Sequence, residues 1–465
     1  MDLFWHRRDP RTRDNAGLAA AARAATVADP LVPVFVYDAD LLGTVGARQR
    51  AFFLRHVALL EDRYRELGSD LVVRAGEPDE VLPALAAEYD AETVFFNEHY
   101  RAARRNRQRR VEDALAGADV ATDARTDLVL VGPDRLERSY PNHGRFHDDW
   151  ERVPKRNPYP EPDADALATV SDAKTVPRPD VDIDLPPAGY RAARERYEDF
   201  LDGGITSYAD TRDDLALAVE APTLAVSRMS PYLSTGAIGI RELWADAGDV
   251  YDAVAGDEQR NVDKYRYELS WREQMYHLLY YNPDLAVSDY KSFPNEIAWR
   301  DDDAAFEAWK AGETGYPLVD AGMRQLDREG YVHNRPRQVV ASFLTKHLLV
   351  DWRRGARYFT KQLIDHDYAS NHGGWQWAAS TGTDSVDVRI FDPVSQAGKY
   401  DDGARFIREY VPELHSVPAE KVIDWPTLSR REREDLAPEY AGPIVDRNEG
   451  YERAQRVFEE ALGKR

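Results

Sequence analysis

Asn371-His372-Gly373-Gly374-Trp375-Gln376-Trp377-Ala378-Ala379-Ser380-Thr381-Gly382-Thr383-Asp384 is the most informative string in this 465-residue chain, and two carboxylates, Asp365 and Asp367, come shortly before it. An indole brings a large ring and one N–H donor, and both need partners when buried. Two tryptophans at i and i+2 in a Gly-rich, polar setting do not fit the single apolar stripe of an ordinary core helix. Packing readily explains a lone tryptophan. It does not explain the string.

Upstream, the chain changes character twice. Leu31-Val32-Pro33-Val34-Phe35-Val36-Tyr37 reads as a buried parallel strand, and a helical stretch with Phe52, Leu54, Val57, Leu59 and Leu60 follows. Leu71-Val72-Val73-Arg74, a helix near residues 81–89, and Thr93-Val94-Phe95-Phe96 repeat the pattern. Such alternation implies right-handed βαβ units and a parallel sheet. No Gly-rich phosphate fingerprint follows the first strand, so no dinucleotide site is evident. From about residue 131 to 187 periodicity fades, and ten of the 27 prolines fall here. This stretch reads as a long connection over the surface, with Tyr140, Phe146 and Trp150 marking parts that pack down. From about residue 190 the pattern is helical. The expected fold class is α/β plus all-α: an α/β domain at 1–130, a linker at 131–189 and a helical domain at 190–465.

Composition sets further bounds. No run of about 18 apolar residues occurs, and Asp2-Leu3-Phe4-Trp5 leads straight into Arg7, Arg8 and Asp9 rather than into a signal pattern. Without cysteine there is no disulfide, thiol metal site or cysteine nucleophile, and no metal is expected. A cytoplasmic protein that makes no membrane contact is the expectation. The formal net charge is −22, and only 10 of the 61 basic residues are Lys. Abundant carboxylates with scarce Lys fit a salty cytoplasm, where self-repulsion is screened; an acidic, GC-rich coding bias is the plainer alternative. Any nucleic-acid binding needs a local basic face.

Six blocks carry a resemblance over most of the chain: residues 5–15, Val226-Ser227-Arg228-Met229-Ser230-Pro231-Tyr232-Leu233, Glu268-Leu269-Ser270-Trp271-Arg272-Glu273, Thr314-Gly315-Tyr316-Pro317, His333-Asn334-Arg335 and the tryptophan string. In that order they resemble the photolyase/cryptochrome family, flavoproteins that use blue light to repair DNA or to sense. The resemblance implies the same α/β, linker and helical arrangement, with FAD folded into a U in the helical domain.

Carried over residue by residue, Tyr208, Val226, Ser227, Arg228, Met229 and Ser230 resemble the residues around the FAD phosphates, a setting that suits hydroxyls and backbone N–H groups. Val226 stands where the family usually has Thr. Arg272, Asp365, Asp367 and Asn371 match cofactor-binding positions, and Arg337 with Asp365 matches the Arg–Asp pair beside the isoalloxazine. Asn371 matches the position facing flavin N5. Plant cryptochromes carry Asp there. Trp375, Trp352 and Trp299 match the electron-transfer chain that photoreduces the flavin.

On the DNA side, Glu268, Trp271, Arg272 and Met275 fall at i, i+3, i+4 and i+7, one helix face, and Asn334, Arg337 and Gln338 share another. In relatives that split cyclobutane pyrimidine dimers, matching positions line the pocket of the flipped-out lesion. The resemblance makes Trp271 and Trp377 its walls, Glu268 a partner of the base edge, Asn334 a contact to a base carbonyl or the flavin region, and Arg212 and Arg335 contacts to phosphates. Gln338 departs: dimer photolyases usually carry Met, (6-4) photolyases His and DASH-type proteins Gln. DASH-type proteins tend to lose the second Trp of the pair, which is intact here. The expected function is light-driven splitting of cyclobutane dimers in UV-damaged DNA by a monomer. The alternatives are a cryptochrome-like photoreceptor or a DASH-type single-strand photolyase. An antenna pigment is expected in the α/β domain. Folate-binding relatives carry an Asn-Glu pair where this chain reads Ala103-Arg104, which favours a deazaflavin over folate and leaves a flavin, or no antenna at all, as alternatives.

Overall fold

The strand-forming runs assemble a five-stranded parallel sheet. In the computed structural model, which describes residues 1–172, 174–383 and 388–464, the strands are β1 (Asp2–His6), β2 (Leu31–Tyr37), β3 (Val72–Ala75), β4 (Thr93–Asn97) and β5 (Ala121–Arg125). Their spatial order is β3-β2-β1-β4-β5. Asp384, the last residue of the tryptophan string, lies outside the described residues. Pro33 sits ahead of the stretch of β2 that pairs with β3, which begins at Val34. A residue without an N–H is tolerated at such a point.

Two strands have no counterpart in the sequence reading. β1 occupies the sheet centre, with Leu3 and Phe4 wholly buried. β5, Ala-Thr-Asp-Ala-Arg, is a partly exposed edge strand held by its ladder to β4, and shows no apolar period.

Seven helices matter for the site: α1 (Ala47–Glu66), α2 (Ala102–Ala116), α3 (His143–Arg152), α4 (Asp257–Tyr281), α5 (Asn334–Ser342), α6 (Trp352–Gln362) and α7 (Tyr368–Ala379). The tryptophan string is thus mostly the helix α7, which packs on α4, α5 and α6. At about 100° per residue, i and i+2 face nearly opposite ways. Trp375 is buried in the core, while Trp377 is only partly covered.

The connection after residue 130 is more than a surface spacer. α3 buries Phe146 and Trp150 completely. The buried Glu273 of α4 accepts from the Trp150 indole at 2.7 Å and from the Val131 N–H at 3.1 Å. Further on, the Ala168 N–H donates to the Leu31 carbonyl at 2.8 Å, tying the connection to the sheet. Arg241 of the helical part pairs with Asp14 at 2.8 Å and Asp127 at 2.6 Å, all buried. A buried charge needs such partners, and here they cross from one part to the other. Among the described residues, no helix is long and apolar enough to cross a membrane.

Candidate functional site

The loop before Pro231, helix α5 and the turn before α7 converge on Asp365. Ser230 Oγ donates to its Oδ2 at 2.7 Å, and Arg337 Nη2 lies 3.1 Å from the same oxygen. The expected Arg337–Asp365 pair is therefore formed, with Asp365 buried. Arg337 Nε is buried without a protein partner. The same is true of Arg228 Nε, although Arg228 pairs with Glu329 at 3.0 Å and adopts φ 49°. Such unspent donors fit a loop that lies against an acceptor-rich cofactor.

Asp367 caps α7 by accepting from the Ser370 N–H at 2.8 Å. It also accepts from Arg8 Nη2 at 2.7 Å and from the Tyr276 hydroxyl. Burial opposes its ionisation, but Arg8, Arg272 and these hydrogen bonds prevail and hold its carboxyl below the usual range. Burial pushes Tyr276 up to about 12, so it is a steady donor. Arg8 follows the central strand β1, so sheet and helical part meet at this carboxylate. Asn371 Nδ2 donates to the Ala356 carbonyl at 3.1 Å and Thr360 Oγ1 at 3.3 Å, which fixes the amide and leaves Oδ1 as the free end. Arg272 donates to the Leu128 carbonyl at 2.9 Å.

Tyr208 sets its ring edge-on to Tyr265 at 5.4 Å, and Ser227 hydrogen-bonds Tyr265. Met229 is buried and Val226 is extended, so Val226 can offer only its backbone.

On the lesion side, α4 presents Glu268 and Trp271. Glu268 pairs with Arg212, and with Lys264 at 2.7 Å. Trp271 stacks on His143 of α3 with centroids 3.8 Å apart and planes 12° from parallel. His143 is held in turn by Gln274 Oε1 at 2.8 Å and Ser270 Oγ at 3.1 Å. Burial lowers the His143 pKa to about 4, so the ring is neutral near pH 7. Arg335 pairs with Asp213 at 2.6 Å and donates to Gln338 Oε1 at 2.9 Å. Both arginines expected at phosphates thus already hold carboxylates. Trp377 carries the Arg389 guanidinium 4.0 Å from its centroid and stacks on Phe391, while its buried indole N–H lacks a partner. Met275 is buried with its sulfur over Gly373, and Asn334 is exposed.

Trp299, Trp352 and Trp375 belong to or border one core cluster, from half-buried Trp299 to interior Trp375. Their rings do not stack on one another: Trp375 meets Phe359 at 5.1 Å and Trp309 at 6.0 Å, Trp299 meets Phe458 at 5.8 Å, and Trp352 donates to Asp289 at 2.8 Å. Sequence reading missed His143, Tyr276, Arg8 and Trp309. Tyr276 lies four residues after Arg272 and could have been read from the helical period; His143 sits in a stretch with no period to read.

A second opening lies beyond the carboxyl ends of β1 and β2, beside the junction of β1 and β4 where the strand order reverses, the usual ligand crevice of such sheets. Trp5, Phe35 and Phe53 line its apolar part, and Arg104 and Arg107 of α2 its polar part.

Known proteins match at both levels. The pattern of the FAD binding domain of DNA photolyase covers residues 265–460, and that of DNA photolyase residues 2–163. A deoxyribodipyrimidine photo-lyase of Halobacterium salinarum is 44% identical, with 100% of both chains covered. A Synechocystis cryptochrome superposes with a TM-score of 0.88 at 26% identity, covering 98% of this chain and 99% of that one. An archaeal photolyase from Sulfolobus tokodaii, described with two FAD molecules, does so at 0.81 and 29% identity, covering 99% and 100%.

Proposed function

The chain belongs to the DNA photolyase family, and on that footing we propose that it is a light-driven lyase that splits cyclobutane pyrimidine dimers in damaged DNA. It binds FAD. Bound in reduced form and excited by blue light, FAD supplies the electron that opens the cyclobutane ring, and the electron returns, so no net redox change results.

The chain's own residues bind, orient and exclude water. Asp365, Ser230 and Arg337 form one fixed polar edge for the cofactor, and Asn371 offers a neutral amide at another. The Asp367–Arg8–Tyr276 set locks the start of α7 so that neither edge drifts. Trp271 and Trp377 are the walls for the flipped-out lesion, with Met275 behind them. Glu268 hydrogen-bonds the base edge once DNA draws Arg212 onto a phosphate. Arg335 makes the same exchange from Asp213. Trp352 and Trp299 relay electrons towards Trp375.

The observation that supports this reading best is the backed indole of Trp271: His143 stacks on one face, and the residue as a whole stays partly exposed. Base–aromatic stacking contributes about 1–3 kcal/mol per base. Trp271→Ala should therefore weaken binding to dimer-containing DNA by at least about 5-fold, leaving the FAD spectrum intact. Unaltered binding would sink the lesion-pocket assignment.

The DASH-type reading has Gln338 in its favour but not the paired tryptophans. The crevice beyond β1 and β2 is the site we assign to a second, light-harvesting chromophore, a deazaflavin or flavin, since Ala103-Arg104 replaces the folate pair. We further place the protein in a salt-rich cytoplasm as a monomer, in keeping with its net charge of −22.

A further inference from the structure

The turn Thr211-Arg212-Asp213-Asp214, at the end of the helix Ile205–Thr211, carries a cation and an anion at consecutive positions. Arg212 reaches α4 and pairs with Glu268, while Asp213 reaches α5 and pairs with Arg335. One turn therefore ties together the two helices that carry most of the lesion-side residues. Its backbone is pinned. The Arg212 N–H donates to the Tyr208 carbonyl and the Asp214 N–H to the Thr211 carbonyl, both at 2.9 Å. Asp214 caps the next helix, Leu215–Glu220, by accepting from the Leu217 N–H at 2.9 Å. Asn261 of α4 accepts from the Ala209 N–H at 2.6 Å and fixes the preceding helix. Either ion pair can thus open by side-chain rotation alone, with the turn unmoved.

The two pairs are not equivalent. When Arg212 leaves, Glu268 keeps Lys264 at 2.7 Å, and a base edge can take the place of the guanidinium. Asp213 has no second ion pair among the described residues. Arg335 grips it through Nη2 at 2.6 Å and Nε at 3.3 Å. Arg335 also donates to Gln338 Oε1 at 2.9 Å and lies 4.2 Å from the Tyr400 centroid. The Arg335 side chain is 12% exposed and that of Asp213 24%, so the pair stands at the edge of solvent, open to an incoming anion. Carboxylate and phosphate fit the same guanidinium fork, and one excludes the other.

We propose that Asp213 competes with DNA phosphate for Arg335 and so sets the strength and the salt dependence of DNA binding. This rests on the reading in which Arg335 contacts a phosphate, and assigns a role to a residue that touches neither DNA nor flavin. A cation that neutralises one phosphate contributes about −0.9 to the slope of log K against log[salt]. A cation that arrives paired contributes much less, because the carboxylate it leaves behind stays beside the phosphate. Binding then weakens less as salt rises, at the cost of affinity in dilute salt.

The FAD-loaded, full-length protein is titrated with a dimer-containing duplex across a KCl series. At the lowest KCl, Asp213→Asn should bind about 1.4- to 5-fold tighter than the unaltered protein, the contribution of a partly exposed ion pair. Its slope should steepen by about 0.9. Asp213→Ser, which also removes the charge, should behave alike, and Asp213→Glu, which keeps it, should hold the original slope. Adding Arg335→Gln to Asp213→Asn should weaken binding and cancel the steepening. If Asp213→Asn keeps the original slope or binds more weakly, while the added Arg335→Gln still weakens binding, Asp213 only holds Arg335 in place. The competition is then wrong and the phosphate contact stands. If the added Arg335→Gln changes neither affinity nor slope, the phosphate contact and the competition fall together.

Discussion

Replacing His143 tests how the lesion pocket is held. Its ring stacks on Trp271 at 3.8 Å and is fixed by Gln274 and Ser270, which are 1% and 0% exposed. An aromatic pair of this kind contributes about 0.5–1.5 kcal/mol beyond its area. His143→Ala removes that restraint, and ordering Trp271 must then be drawn from lesion binding. The dimer Kd should rise roughly 2- to 10-fold, with repair per bound dimer unchanged. His143→Phe keeps a stacking ring but strands the Gln274 oxygen, at about 1–3 kcal/mol, while Ser270 Oγ keeps His147 and the Tyr267 carbonyl. It should restore affinity to within about 2-fold while lowering folding stability by that amount. Affinity comes from equilibrium binding to dimer-containing and intact duplexes, stability from urea unfolding. A Phe variant that binds as weakly as Ala would refute the stacking role. So would an Ala variant that binds normally.

Other perturbations follow from the same geometry. A Cβ at Gly355 of α6 would lie 2.2 Å from Trp375 Cη2 and 2.7 Å from Leu344 Cδ2. Gly355→Ala gains about 0.5–1 kcal/mol of helix preference but costs about 1–3 in overpacking; Tm should fall and photoreduction through Trp375 should slow, and an unchanged Tm would show that the core has slack. Burial lowers His56 and His366 to about 3 and His143, His333 and His347 to about 4. Their folded pKa values lie below the ordinary histidine value of about 6.5, so the unfolded chain binds more protons between about pH 6.5 and 3. Stability is whole above that window and falls through it on acidification, by up to about 1.4 kcal/mol per pH unit per histidine. Urea midpoints at pH 7 and pH 5 check this, and equal values would contradict it. Gln338→Met should leave dimer repair unchanged or improve it, measured as dimers lost per photon, because only the Arg335 bond at 2.9 Å is given up.

Much of this molecule was legible before its structure. Apolar runs announced β2, β3 and β4, and helical spacing put Glu268, Trp271, Arg272 and Met275 on one face of α4. β1 was hidden because five residues at a chain start carry too little period. β5 is polar, and only its neighbour makes it a strand. Contacts between distant segments were also invisible. Nothing in the sequence ties His143 to Trp271 or Arg8 to Asp367, since those pairs exist only once α3 docks on α4 and the sheet docks on α7. Likewise, Arg212 and Arg335 read as free phosphate contacts, and only the structure shows the carboxylates that hold them.

The central claim is dimer splitting driven by light. Purified protein with its FAD photoreduced, held at high salt with dimer-containing duplex DNA, is illuminated with blue light beside a dark control, and remaining dimers are counted. The account expects dimers to disappear in the light and persist in the dark. Dimers that persist in the light despite bound, fully reduced FAD would contradict it.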